Sequence, residues 1–369
     1  MKAELNILYI TQKVDANDDL LAAIHGWLED LAGKVHKIYI VCLHKGEVRL
    51  PANCQVFSLG KEREVSRYKY LVNFYRTVVP LIFKGKIDGI FIHMNEVYVY
   101  LLLPLRILKR IPIVWWKAHG QLNFWSRLAH YFVDRVVTSV SVAYNIPTDK
   151  KRVIGQGIDA HKFKPLEFSR ALNGIINIIV IGRLSSVRRY DLLLRAVRKS
   201  LDDSAGLKLK VTIYGRMPTG SNDHYLKELQ NLQEQLGLKE VVTFAGAVPN
   251  YQLPEFINQS DFAVNPGGSN SLDKAIVESM ACQKIVIDSN LATWEILEKS
   301  PLTQQDKELF LFKRGDYSDL AEKIKQVINL NEAKKSSLEK SLRQLVVANH
   351  TVNHLNEEIV AVFREVLLK

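Results

Sequence analysis

Short runs of β-branched and aromatic residues alternate along this chain with longer segments of helical period, and that alternation constrains the fold more than any single motif. In the first half the strand-like runs fall at 6–10, 37–43, 56–59, 89–94, 111–116 and 135–140, and the helical segments at 20–32, 68–83, 97–108 and 123–132. Strands interleaved with helices at this spacing predict a parallel sheet covered on both faces. After a run at 152–154 the pattern stops at Gly155-Gln156-Gly157-Ile158-Asp159 and Phe163-Lys164-Pro165, punctuation that reads as a linker. It then restarts, with strands at 175–181, 208–214, 241–244, 261–264 and 285–288 and helices at 190–199, 224–236 (closed by Gly237), 253–258 and 273–281. The expectation is a doubly wound α/β architecture in two domains, residues 1–160 and 161–348, with the stretch 320–369 charged and mostly helical. No internal repeat of 20 to 50 residues accompanies it.

A chain of 369 residues suits two such cores. No window offers the roughly 18 to 20 uninterrupted apolar residues that span a bilayer. Lys2 and Glu4 run straight into the first strand-like segment, unlike a signal peptide, and Cys42, Cys54 and Cys282 lack metal-type spacing. A cytoplasmic setting is expected. Charge is unevenly placed: residues 1–165 hold 24 Lys and Arg against 14 Asp and Glu, whereas the remainder holds 26 against 25. The basic first half favours an anionic partner, and without a nucleic-acid motif that partner is expected to be lipid or an anionic acceptor rather than RNA or DNA.

Arg183 and Arg188 lie in the turn after the apolar run 178–181, and Glu278 lies in the helix after the run 262–264. In a parallel sheet both positions fall at the carboxyl ends of strands, where ligands bind. Two guanidiniums there suit a diphosphate, and a nearby carboxylate suits ribose hydroxyls. Each residue has a plainer reading: a solvated basic turn for the arginines, a dipole-favoured carboxylate for Glu278, a helix cap for Asn270 and Asp273. No strand-linked G-x-G-x-x-G or P-loop is present, so hydride transfer and ATP hydrolysis lose their support. The segment 61–86 interleaves lysine and arginine with Tyr68, Tyr70, Phe74, Tyr75 and Phe83, a pattern that fits an anionic membrane surface or a helix packed on its sheet. The apolar helix at 97–108 is expected to be buried.

The ordered stretches GRLSSVRRYDLLLRAV, YGR, LGLKEVVTFAGAVP, INQSDFAVNP and LDKAIVESMAC, with GQGIDAHKFKP ahead of them, resemble the C-terminal half of the retaining glycosyltransferases of family 4, glycosyl transferases group 1, which have the GT-B fold. The resemblance covers about half the chain. It implies two Rossmann-like domains, the first binding an acceptor and the second a nucleotide sugar, with a C-terminal helix at 349–369 crossing back to the first. It places Arg183 and Arg188 on the donor diphosphate, although family members usually have lysine at the second position. Glu278 corresponds to the ribose-binding glutamate, and Gly182, Gly215 and Val248 to donor contacts. Asn270 stands where the family has a second glutamate, and Ser271, Leu272 and Asp273 where it has Gly-Phe-Gly, around the sugar. His119 corresponds to a histidine near sugar and acceptor. The first loop, 11–19, lacks the family's glycine pair. The implied activity is metal-independent transfer of a hexose-type sugar, without a cofactor, to a glycan or lipid-linked acceptor in cell-surface glycan or glycolipid synthesis. A nucleotide-sugar-binding protein that has lost transfer, and a nucleotide-sugar epimerase, are the alternatives.

Overall fold

The structure is a computed structural model that describes residues 3–18, 22–167, 174–217, 224–268 and 270–368. The chain divides into two units: Met1–Asp159 with Asn349–Lys369, and Ala160–Ala348. Each is built on its own parallel sheet.

In the first unit the strands are β1 (Ala3–Val14), β2 (Val35–Lys45), β3 (Cys54–Ser58), β4 (Gly89–His93), β5 (Ile113–Trp116), β6 (Arg135–Thr138) and β7 (Lys151–Val153). Their order across the sheet is β3-β2-β1-β4-β5-β6-β7, all parallel. The side-chain period of two splits β1 between two cores. Leu5, Ile7 and Tyr9 join the cluster beneath the helices Ala22–Lys34 and Val352–Leu367, whereas Leu8 and Ile10 join the cluster beneath Arg67–Phe83 and Val97–Leu108. Strands buried on both faces read as continuous apolar runs, which is why the alternation was legible.

β1 extends four residues beyond the apolar run 6–10, through Thr11–Val14, and so takes up part of what the sequence suggested was a loop. Lys13 and Val14 still pair with β2, and Lys13 Nζ is held by Asp15 at 3.0 Å and Asp18 at 2.6 Å. Residue 19 of that loop, and residues 20 and 21 of the expected helix 20–32, lie outside the described residues.

The glycines after β7 have steric reasons. Gly155 adopts φ 80°, and a Cβ there would lie 2.0 Å from the Asn349 carbonyl oxygen. Gly157, at φ 72°, lies against the Trp27 ring, whose Nε1 donates to the Gly157 carbonyl at 2.8 Å. Ile158 then pairs with Thr351, which caps the helix Val352–Leu367. That helix buries Leu355, Ile359, Val360, Val362 and Phe363 in the first unit, with the Phe363 ring directly over Gly89 of β4.

In the second unit the strands are β8 (Ile175–Ile181), β9 (Lys208–Tyr214), β10 (Val242–Gly246), β11 (Phe262–Asn265) and β12 (Ile285–Asp288), in the parallel order β10-β9-β8-β11-β12. The helix Tyr190–Asp202 buries Leu192, Leu193, Leu194, Ala196 and Val197, and Tyr317–Ile328 packs beside it. Both sheets place their first strand centrally, and the strand order reverses beside it, between β1 and β4 and between β8 and β11.

Candidate functional site

At such a reversal the loops leaving two neighbouring strands diverge and leave a crevice at the carboxyl edge. In the second unit those loops follow β8 and β11, and they carry most of the residues singled out in the sequence.

The loop after β8 begins with Gly182 and Arg183. Hydrogen bonds from Gly182 N to Tyr214 O and from Leu184 N to Arg216 O, both 2.9 Å, carry the pairing past the strand end. This forces the backbone of Gly182 onto Gly215, where an added Cβ would lie 1.8 Å from the Gly182 oxygen. A Cβ on Gly182 would meet the Arg188 guanidinium at 3.0 Å. Arg183 itself is exposed, and its side chain makes no hydrogen bond or ion pair among the described residues. A short 3-10 turn, Ser186–Arg188, leads through Arg189, at φ 50°, into the helix Tyr190–Asp202. Buried Tyr190 donates its hydroxyl to the Gly182 carbonyl at 2.9 Å and so braces the loop from below.

The loop after β11 meets this turn. Gly267 lies so close to it that a Cβ would be 2.8 Å from Arg188 Cα. Arg188 donates to Asn265 Oδ1 at 3.2 Å and forms a tight ion pair with Asp273. The Asp273 carboxylate raises the pKa of that guanidinium beyond its ordinary value. Asp273 also caps the helix Lys274–Ala281, accepting from Ala275 N at 3.1 Å. Arg188 therefore faces the crevice with a counter-charge already in place, whereas Arg183 does not.

Behind Arg188 runs a buried polar chain. Asn265 Nδ2 donates to Asp288 Oδ1 at 2.9 Å, and Asp288 also accepts from Thr293 Oγ1 at 2.6 Å and from the backbone of Ser289 and Asn290. Asp288 is fully buried, and burial pushes its carboxyl up to about 7. Asn290 caps the helix Leu291–Glu298 and holds the Ser271 carbonyl at 2.6 Å. Leu272 is buried. Asn270 lines a cavity of about 360 Å³ with Gly268, Asn290, Trp294, Phe312 and Arg314, whose guanidinium donates to the Gly268 carbonyl at 2.5 Å.

Glu278 sits one turn into the helix Lys274–Ala281 and is buried. Its Oε1 lies 3.2 Å from Lys274 Nζ but accepts no aligned hydrogen bond. Burial raises its pKa more than Lys274 lowers it. Val248 is half-buried in the loop after β10. The second unit thus gathers Gly182, Arg183, Arg188, Gly215, Asp273 and the Glu278 helix around the reversal. Asn265, Gly267 and Asp288 belong to the same constellation and escaped sequence reasoning. The one available signal was a carboxylate ending the apolar run 285–288.

His119 belongs to the first unit. It follows β5, is exposed, and holds Nδ1 at 3.1 Å from the Gln121 carbonyl. The reversal between β1 and β4 is occupied by other residues: Thr11 Oγ1 and His93 Nδ1 approach to 3.3 Å, with Trp27 edge-on to His93. Burial depresses His93 to about 4, so its imidazole stays neutral. Among the described residues no group of three or more His, Cys, Asp and Glu is placed to hold a metal, and no helix is long and apolar enough to cross a membrane.

Comparison with known proteins agrees with this geometry. The family model for "Glycosyl transferases group 1" matches residues 176–329. D-inositol 3-phosphate glycosyltransferases from Acidothermus cellulolyticus (28% identical over 170 residues, 42% of this chain and 38% of that protein) and Corynebacterium jeikeium (30% over 163 residues, 42% and 39%) are similar. The chain thus spans well under half the length of these curated relatives. Among solved structures, sucrose-phosphate synthase from Thermosynechococcus elongatus superposes with a TM-score of 0.76 at 15% identity, covering 99% of both chains. Anabaena Alr3699/HepE in complex with UDP and glucose gives a TM-score of 0.71 at 16% identity, covering 98% of this chain and 100% of that one. At such identities the likeness shows the fold, two Rossmann-like parallel-sheet domains of GT-B type.

Proposed function

We propose that this chain, whose second unit belongs to the glycosyl transferases group 1 family and whose fold is GT-B, is a retaining glycosyltransferase that moves a sugar from a nucleotide-diphosphate donor to an acceptor hydroxyl. The observation that carries this reading is the meeting of the two loops at the β8/β11 reversal, with Arg183 free and exposed beside a glycine-lined approach. As the glycosidic bond breaks, negative charge grows on the leaving diphosphate, and preorganised guanidinium groups stabilise it without a metal ion. On this reading Arg183 supplies most of that charge and Arg188, shared with Asp273, completes it. Glu278, buried with an unfilled oxygen, accepts from ribose hydroxyls. Asn270 and the cavity beside it receive the sugar. Retention follows if a leaving phosphate oxygen takes the proton of the incoming hydroxyl on the same face, and Asn270 cannot serve as a carboxylate nucleophile there.

A neighbour of the same fold in complex with UDP and glucose supports a nucleotide-sugar donor. The acceptor, of the glycan or lipid-linked class, is assigned to the first unit, which also carries the exposed His119. The inositol phosphate in the relatives' name is not carried over, because the family match falls in the second unit.

The test is Arg183→Ala. Turnover of donor and acceptor is expected to fall at least about a hundredfold, since one such electrostatic donor contributes around 3 kcal/mol. A panel of nucleotide diphosphates should raise the unfolding temperature of the native chain and not that of the variant. Normal turnover by the variant would remove the diphosphate assignment.

A further inference from the structure

Five large apolar side chains stand in solvent within one short stretch of the first unit. Ile107 is 83% exposed, Leu108 66%, Phe124 69%, Trp125 57% and Tyr131 74%. Single exposed apolar residues are ordinary, but a cluster of this size marks a contact surface. The rings are held in place. Trp125 packs edge-on against Phe124 at 5.4 Å and Tyr100 at 6.0 Å, and Tyr100 reaches Phe132 at 6.4 Å. The Tyr100 hydroxyl donates to the Trp125 carbonyl at 2.5 Å, and Arg106 donates to the Phe132 carbonyl at 2.8 Å. The helix Val97–Leu108, the helix Phe124–Ala129 and the turn His130–Phe132 are thereby tied into one platform.

The charge around it is predominantly positive. Residues 67–134 contain ten Lys and Arg against three acids, Asp88, Glu96 and Asp134. All three acids are engaged internally: Asp88 accepts from Asn6 N at 2.7 Å, Glu96 pairs with Lys117 at 2.9 Å, and Asp134 pairs with Arg106 at 2.8 Å. Lys109, Arg110 and Arg127 are exposed, and Lys109 Nζ lies 5.9 Å over the Phe83 ring, which carries the surface on to the helix Arg67–Phe83.

We infer that this platform docks the first unit on an anionic lipid surface, with Phe124, Trp125, Tyr131, Ile107 and Leu108 entering the headgroup boundary and the flanking lysines and arginines meeting lipid phosphates. Aromatic rings and cations together are what the membrane interface selects. A soluble polyanion would satisfy the cations and leave the apolar side chains in water. The basic segment 61–86, with the helix Arg67–Phe83 at its middle, is then the flank of the surface, and the platform its centre.

The test is sedimentation of the full chain with phosphatidylcholine vesicles, with and without phosphatidylglycerol, in the absence of donor and acceptor, so that it stands apart from the transferase reading. Binding is expected only with phosphatidylglycerol and is expected to weaken as salt rises. The variant Phe124→Ala/Trp125→Ala should bind at least about tenfold more weakly with an unchanged unfolding temperature, because both side chains are exposed. Brominated acyl chains should quench the tryptophan fluorescence, and Trp125→Phe should remove most of that quenching, since Trp27, Trp115 and Trp116 are buried and Trp294 is half-buried in the second unit. Absent binding, equal binding by the double variant, quenching that survives in Trp125→Phe, or tighter binding to soluble polyphosphate than to vesicles would each overturn the proposal.

Discussion

Asp273 does two jobs with one carboxylate, capping a helix and neutralising Arg188. The two can be separated. Asparagine caps helices as well as aspartate, so Asp273→Asn should keep the helix while removing the counter-charge. On the reading above, the freed Arg188 binds diphosphate more tightly, by about fivefold, the ~1 kcal/mol expected of a partly exposed ion pair. Titration of a nucleotide diphosphate against both proteins, with unfolding temperature as a control, decides it; unchanged affinity would mean that Arg188 does not reach the donor. The positions of Arg183, just past the end of β8, and of Glu278, in the helix that follows β11, were legible in the sequence from residue type and order. The Arg188–Asp273 and Asn265–Asp288 pairs were not legible. The first joins positions 85 residues apart and exists only once the β8 and β11 loops have met.

At the scale of elements, β8, β9 and β12 have the bounds that the sequence suggested, β12 as a strand buried throughout and β9 as one that alternates exposed and buried residues. β1 was underestimated because its carboxyl end is polar and yet still paired, a choice made by the neighbouring strand rather than by side-chain character. The helix at 97–108 was expected to be buried, and it does bury Tyr98, Val99, Leu102 and Leu105, but its last residues are exposed. Gly215 tests the crossing of the strand ends. With the Gly182 oxygen 1.8 Å from where a Cβ would stand, Gly215→Ala must push two backbones apart. We expect a loss of about 3 kcal/mol in urea denaturation and weaker nucleotide diphosphate binding as Arg183 is displaced. A variant as stable as the native chain would show that the strand ends can separate freely.

At the scale of the whole molecule, the first unit is discontinuous, closed by a helix from beyond the second. That helix places Leu355, Ile359, Val360, Val362 and Phe363 in the first unit's core and anchors its flank through Arg152–Glu358 at 2.9 Å. Five such side chains at roughly 1.5–3 kcal/mol each match the stability of an ordinary domain, about 5–15 kcal/mol. Ending the chain at Asn349 should therefore abolish cooperative unfolding of the first unit and leave that of the second in place. Calorimetry resolves the two, and a truncated chain that kept both transitions would assign the helix a peripheral role.

The same discontinuity sets an order of events at the ribosome. The strands of the first unit emerge early, but the segment that covers one face of their sheet follows only after about 190 further residues, roughly 10–40 s of synthesis at common rates. In that interval Gly89 lacks the Phe363 ring and the apolar side of β1 has only the helix Ala22–Lys34 over it, whereas the second unit, contiguous in sequence, has everything it needs to fold. The nascent chain thus completes its second unit before its first-made one, and the early strands are the part most dependent on protection while they wait.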